Sequence, residues 1–118
     1  MPRPSPAVYL RHCPMDIARL SQDLGFDPET TRGLLATFVQ ATERDLAGLV
    51  RAVAAGDAEA AGTAAHHIKG AAANLELIDV AEAARSVEAA AKVGGVAGLE
   101  LQIARIRTAL GALRAGLL

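Results

Sequence analysis

A chain of 118 residues is long enough for one domain with its own core, and its 52% of apolar residues come mainly from Ala, Leu and Val, since Tyr9, Phe26 and Phe38 are the whole aromatic complement. That composition suits closely packed helices and argues against a sheet sandwich. A net charge of −1 leaves no electrostatic footprint for nucleic acid, the single Cys13 excludes an internal disulfide and fits a reducing compartment, and no apolar run reaches the roughly 18–20 residues of a membrane span.

All 5 prolines fall at or before Pro28. Residues 1–12 read as an extended, flexible arm, and Met1-Pro2-Arg3-Pro4-Ser5-Pro6 lacks the apolar stretch of a signal peptide. Cytoplasmic is therefore the default location, and Met1 with its proline-rich arm suggests a complete short chain. The domain proper is expected over residues 13–118.

Pro14 is placed to open a short first helix through about Leu24, with Ile17, Leu20 and Leu24 at helical spacing. Asp27-Pro28 predicts a second helix, with an N-cap carboxylate followed by proline at the first helical position. It should run to about Ala55 with Leu35, Phe38, Leu46, Leu49 and Val53 inward, until Gly56 stops it and Asp57 caps the next. The third helix has an apolar stripe at Ala58, Ala61, Ala65, Ile68, Ala72 and Leu75. Asp79-Val80-Ala81-Glu82 has capping-box spacing and opens a fourth, ending near Gly94-Gly95. The last carries Val96, Leu99, Ile103, Ile106, Leu110, Leu113 and Leu117 in an unbroken 3-4 alternation. Narrow seams joined by short turns imply an all-α fold, an antiparallel four-helix bundle with a short additional N-terminal helix.

The chemistry concentrates in Ala65-His66-His67-Ile68-Lys69-Gly70. At about 100° per residue the stripe of the third helix centres between Ala65 and Ile68, which puts His66 and His67 each roughly 130° from it, on opposite flanks. Exposure does not choose between them; their neighbours do. Around His66 lie Gly62, Lys69, Gly70 and Ala73, whereas Ala60, Ala64, Ala71 and Asn74 surround His67 with no positive charge. Each mid-helix glycine costs about 1 kcal/mol relative to alanine, so two bracketing His66 need a reason, and clearance for an incoming protein is one.

A nucleophilic nitrogen, a fixed cation and a missing side chain on one patch suit a histidine that receives a phosphoryl group from another protein and passes it on. Positioning and electrostatics do most of the work in such transfers, and Lys69 is placed to offset the charge on the transferring group. No carboxylate cluster is placed for Mg²⁺, so any metal would come with the partner. The bland readings are a solvated Lys69 and a Gly70 that serves helix packing. Adjacent His66 and His67 point about 100° apart and make a poor metal pair, and His12-Cys13 is a two-ligand fragment without completion.

Ala65-His66-His67-Ile68-Lys69-Gly70-Ala71-Ala72-Ala73-Asn74-Leu75 resembles the signature of histidine-containing phosphotransfer (HPt) domains, A-H-x-[LI]-K-G followed by small residues and N-L-G. Phe38, Gly56-Asp57 and Val87-Glu88 fall where that family tends to have a helical Phe, a Gly-Asp turn and Leu-Glu, so the resemblance covers roughly residues 14–115. It implies a monomeric carrier that shuttles phosphoryl groups between receiver-domain aspartates of response regulators or hybrid histidine kinases, with no nucleic acid or membrane partner. By that match His66 is phosphorylated, Lys69 is its charge partner and Gly70 leaves room for the receiver. Glu88 and Lys92 match positions near the histidine, and Ile17, Leu20 and Phe26 form part of the docking surface. The implied protein has no cofactor of its own, with Mg²⁺ supplied by the receiver, and is a phosphohistidine carrier rather than an enzyme with a small-molecule site.

One position departs from the pattern. The family usually has glycine where this chain has Glu76, and a left-handed turn there would cost Glu about 1 kcal/mol. Either Asn74 caps the helix or the turn is built differently. Two other functions fit parts of the sequence. A histidine kinase's dimerisation domain also carries phosphohistidine on a bundle helix, but His66 is followed by His67 rather than an acidic residue, and no glycine-rich ATP-binding segment follows. A non-catalytic helical adaptor is consistent with the bundle alone.

Overall fold

The computed structural model describes residues 17–117. The arm over residues 1–12, the helix start at Pro14 and the His12-Cys13 pair lie outside the described residues. Among the described residues five helices follow one another: α1 (Ile17–Leu24), α2 (Pro28–Ala54), α3 (Ala58–Asn74), α4 (Ile78–Lys92) and α5 (Glu100–Leu117). From α2 to α5 each helix packs on the next, and α5 closes back onto α2. Short connections make these neighbours antiparallel, which completes a four-helix bundle. Among the described residues no helix is long and apolar enough to cross a membrane.

α2 has 27 residues against the 17 of α3, so it outruns its partner by roughly 15 Å at about 1.5 Å per residue. α1 packs on α2. The join is polar as well as apolar. Ser21 Oγ lies 2.8 Å from Thr31 Oγ1 and 2.7 Å from the Ile17 carbonyl, and Thr31 Oγ1 donates to the Asp27 carbonyl at 3.0 Å. Ile17 and Leu20 are each only 8% exposed.

Two helix starts follow from their capping residues. Asp27 accepts from the Thr30 N–H at 2.7 Å and from Thr30 Oγ1 at 3.0 Å. Those two bonds, the backbone one foremost, hold its carboxyl below the usual aspartate value. Asp57 accepts from the Ala60 N–H at 3.0 Å after Gly56 has turned the chain. α4 differs from the capping-box expectation. It begins at Ile78, its N-cap is Leu77 with no side-chain cap bond, and Asp79 falls within the first turn, where its charge complements the helix dipole. The reason lies in the preceding turn, which reverses the chain so tightly that Leu77 is drawn inward to 9% exposure.

That turn also answers the question at Glu76. The Leu77 N–H bonds back to the Ala72 carbonyl at 2.9 Å and the Glu76 N–H to the Ala73 carbonyl at 3.1 Å, with Glu76 left-handed at φ 58°. Asn74 is simply the last residue of α3. The same closure ends α1, α2 and α4, but there Gly25, Gly56 and Gly94 take the left-handed position. A Cβ at that φ is strained, so Glu76→Gly should stabilise the bundle by about 1 kcal/mol. Thermal unfolding should show a midpoint several degrees higher, and an unchanged or lower midpoint would mean that the Glu76 side chain repays its backbone strain through contacts of its own.

The core runs through Leu35, Leu49, Ile68, Val87 and Ile106, all fully buried. Of the α3 stripe, Ala61, Ala65, Ile68 and Ala72 are buried, while Ala58 and Leu75 at its ends are partly exposed, as are Val53 and Leu117 on their helices; Val96 and Leu99, expected on the last helix, lie instead in the connection before it, because the chain turns through the left-handed Gly98 and α5 starts only at Glu100. Opposite that stripe α4 presents Ala83, Ala84, Val87 and Ala91. Small residues on both sides allow the two backbones to approach closely. Gly62 is part of this contact, because a Cβ built on it would stand 3.3 Å from Ala91 Cβ. Its lack of a side chain therefore serves helix packing, a correction to its reading as clearance around His66.

Candidate functional site

The close α3–α4 contact brings one carboxylate of α4 to two residues of α3. His66 has a side chain 64% exposed, and its Nδ1 lies 2.8 Å from Glu88 Oε2. Lys69, one turn on and 33% exposed, donates from Nζ to Glu88 Oε1 at 2.5 Å. The Glu88 side chain is only 12% exposed, so it forms the floor of the patch while the imidazole stands above it.

The bond to Lys69 foremost, then the bond to His66, holds the Glu88 carboxyl below its usual value. What this pairing adds to stability is fully present above the ordinary glutamate value of about pH 4.3 and is lost as pH falls through the lowered folded value. At neutral pH Glu88 is therefore an ionised group that only accepts hydrogen bonds. The proton between it and His66 must sit on Nδ1. A neutral imidazole carries one N–H, so its lone pair is left on Nε2, on the side of the ring away from Glu88.

His67 is also exposed, and its ring centroid lies 6.5 Å from that of His66 at a 55° tilt. It lines a shallow groove on the α2 side with Arg44, Asp45 and Thr63. Gly70 is exposed, and a Cβ added there would meet nothing within 4 Å, so the surface beside His66 is open on that flank. Ala73 is exposed further along α3, and Lys92 is exposed one turn beyond Glu88 on α4. Of the apolar residues expected on a docking surface, Phe26 is 49% exposed, whereas Ile17 and Leu20 are turned into the bundle. An eight-residue helix has a single apolar face, and α1 uses it against α2. Among the described residues no three of His, Cys, Asp and Glu gather as a metal-binding group.

Sequence reasoning did not find the double bond of Glu88 to His66 and Lys69, and treated Lys69 as an unengaged cation. No motif marks it, because it depends on a register that only the structure fixes. Across a tight antiparallel turn paired residues have a nearly constant sum of positions, and the Gly62–Ala91 contact predicts that Glu88 stands opposite the His66–Lys69 segment. Lys69 thus neutralises Glu88, and the expected offset of phosphoryl charge would draw on the same cation. Lys69→Ala should lower the yield of phosphohistidine about five- to tenfold, because it leaves the Glu88 charge unopposed beside the phosphoryl group. Adding Glu88→Gln to Lys69→Ala should recover part of that loss. Quantitative labelling of the single and double variants, with helix content checked by circular dichroism, measures the coupling; additive losses would contradict it.

A solvent-facing imidazole with its Nδ1 proton fixed, a lysine one turn away and an open flank on a bundle helix define the surface of a phosphohistidine carrier. The Hpt domain family model matches residues 33–116, and the chain belongs to that family. It is a histidine phosphocarrier of two-component phosphorelays, a family whose members work with receiver domains. Among solved structures it is similar to the crystal structure of histidine-containing phosphotransfer protein B (HptB) from Pseudomonas aeruginosa PAO1, with 27% identity and a TM-score of 0.71 over 86% of this chain and 85% of that one. Curated proteins give no match.

Proposed function

We propose that His66 is the phosphoacceptor, that its Nε2 takes the group in line from a receiver aspartyl phosphate, and that the chain returns it to another receiver of a response regulator or hybrid kinase. The observation that carries this reading is the Nδ1–Glu88 bond at 2.8 Å on a ring whose side chain is 64% exposed. It leaves the unprotonated nitrogen on the accessible side. Lys69 offsets the developing charge and Gly70 admits the receiver's active-site rim. Phe26, Ala73 and Lys92 are read as parts of the docking face.

Glu88 is already engaged by Lys69 and His66, which supports reading any Mg²⁺ in the transfer as the receiver's own. Ile103, Ile106, Leu110 and Leu113 are buried inside the bundle, which supports a monomer rather than pairing through the last helix. Incubation with a receiver carrying labelled aspartyl phosphate tests the function. The chain should gain an acid-labile, base-stable label at one group per monomer, and failure to gain any label from a panel of phosphorylated receivers would count against it.

A further inference from the structure

The side of the bundle opposite His66 carries a groove that phosphoryl transfer does not use. His66, Lys69 and Glu88 sit where α3 meets α4, whereas α2 and α5 meet on the other side. Between α2 and α5 runs an open groove of about 320 Å³. Its floor is apolar, made by the buried Leu46 and Leu110, and its lips are the exposed Ala47 and Gly111. Arg107 stands at one end, and Arg114, one heptad on, pairs with Glu43 of α2 at the other. Gly111 has no internal reason to be glycine. Inside a helix it costs about 1 kcal/mol relative to alanine, and a Cβ there would meet nothing within 4 Å. A side chain on that lip would stand over the floor, so its absence leaves Leu46 and Leu110 open to an approaching surface.

We propose that this groove docks a short amphipathic helix of another protein, which seats an apolar side chain on Leu46 and Leu110 and presents a carboxylate to Arg107. Length and charge select that occupant. The lining runs from Arg107 to Arg114, about 10 Å of α5, which is the span of two helical turns. Glu43 is answered by Arg114, and among the described residues no carboxylate pairs with Arg107, so the groove keeps one uncompensated cation, with Arg105 the next on α5. A second copy pairing through the same groove would set Arg105, Arg107 and Arg114 against their own kind. A helix held here leaves the α3–α4 face free. The chain then keeps one protein bound while another meets His66, and any domain linked to the bound helix stays near the carrier at a raised effective concentration.

A pair of peptide titrations tests the groove. The ligand is a synthetic helix of about 18 residues, leucine along one face and glutamate on both flanks, set against the same peptide with lysine for glutamate. In proton–nitrogen correlation spectra the acidic peptide should shift the amides of residues 43–47 and 107–114 and leave those of 62–70 and 85–92 in place. The lysine peptide should shift neither set. Arg107→Glu should weaken the acidic peptide about five- to tenfold, and Gly111→Gln should block it with a melting midpoint level or higher. Loading of His66 by phosphoramidate at saturating acidic peptide should match that of the free chain. No shift with the acidic peptide, equal shifts with both, undiminished binding to Arg107→Glu, or sedimentation showing that the chain dimerises through this groove overturns the proposal. Absence of label on His66 with and without peptide counts against the acceptor reading, a different failure.

Discussion

His66→Gln should lose all acid-labile label from a phosphorylated receiver, a fall of at least about a hundredfold to background, while His67→Gln keeps the wild-type level. The two histidines are adjacent and both exposed, so the contrast tests surroundings rather than access. His66 has Glu88 on Nδ1 and shares that carboxylate with Lys69. His67 faces the groove beside Arg44 and Asp45, on the opposite flank. Among the described residues no second imidazole stands on the Glu88 side to take its place. Label retained by His66→Gln, or lost from His67→Gln in a folded protein, would overturn the assignment.

Gly70→Gln should block transfer while the fold holds or strengthens. Nothing lies within 4 Å of a Cβ at this position, so the new side chain extends into solvent. Replacing a mid-helix glycine with glutamine gains roughly 0.5–1 kcal/mol of helix propensity, and the melting midpoint should stay level or rise by a few degrees. The same side chain stands one turn from His66 on its open flank and obstructs a folded domain that must bring an aspartyl phosphate to Nε2. Transfer from a receiver should drop tenfold or more, whereas loading by phosphoramidate, which needs little clearance, should stay within about twofold. A destabilised variant with normal transfer in its folded fraction would instead assign Gly70 to packing.

What could be read before the structure was local. Asp27-Pro28 and Gly56-Asp57 carry their turn and capping chemistry within a few residues, and both helix starts stand where those residues put them. The α3 stripe is equally local, because a 3.6-residue period places Ala61, Ala65, Ile68 and Ala72 on one face whatever packs there. The misreadings all involve a second element. Gly62 and Gly70 look alike on a helical wheel, and only Ala91 of α4 shows that the first lies at a helix contact and the second in the open. Ile17 and Leu20 are as compatible with a docking surface as with a core until α1 lies against α2.

The α3–α4 turn shows the same limit in the backbone. Asp79-x-x-Glu82 satisfies the spacing of a capping box, yet the helix starts earlier because Leu77 is held inward by the closure of α3. Glu76 adopts a conformation its side chain disfavours because the bonds to Ala72 and Ala73 and the burial of Leu77 outweigh about 1 kcal/mol of strain. At the site, the motif around His66 indicated phosphoryl chemistry, but the bonds from Glu88 to both His66 and Lys69 depend on the register of two helices.

The central claim is that this chain carries a phosphoryl group between receivers through His66, and a three-protein relay measures that most directly. A receiver bearing ³²P-aspartyl phosphate is mixed with the chain and with a second receiver that takes nothing from the first alone. The label should leave the first receiver, pass transiently through an acid-labile, base-stable species on the chain, and accumulate on the second; with His66→Gln it should remain on the first. Label reaching the second receiver equally well with His66→Gln, or resting on the wild-type chain without ever being handed on, would contradict the account.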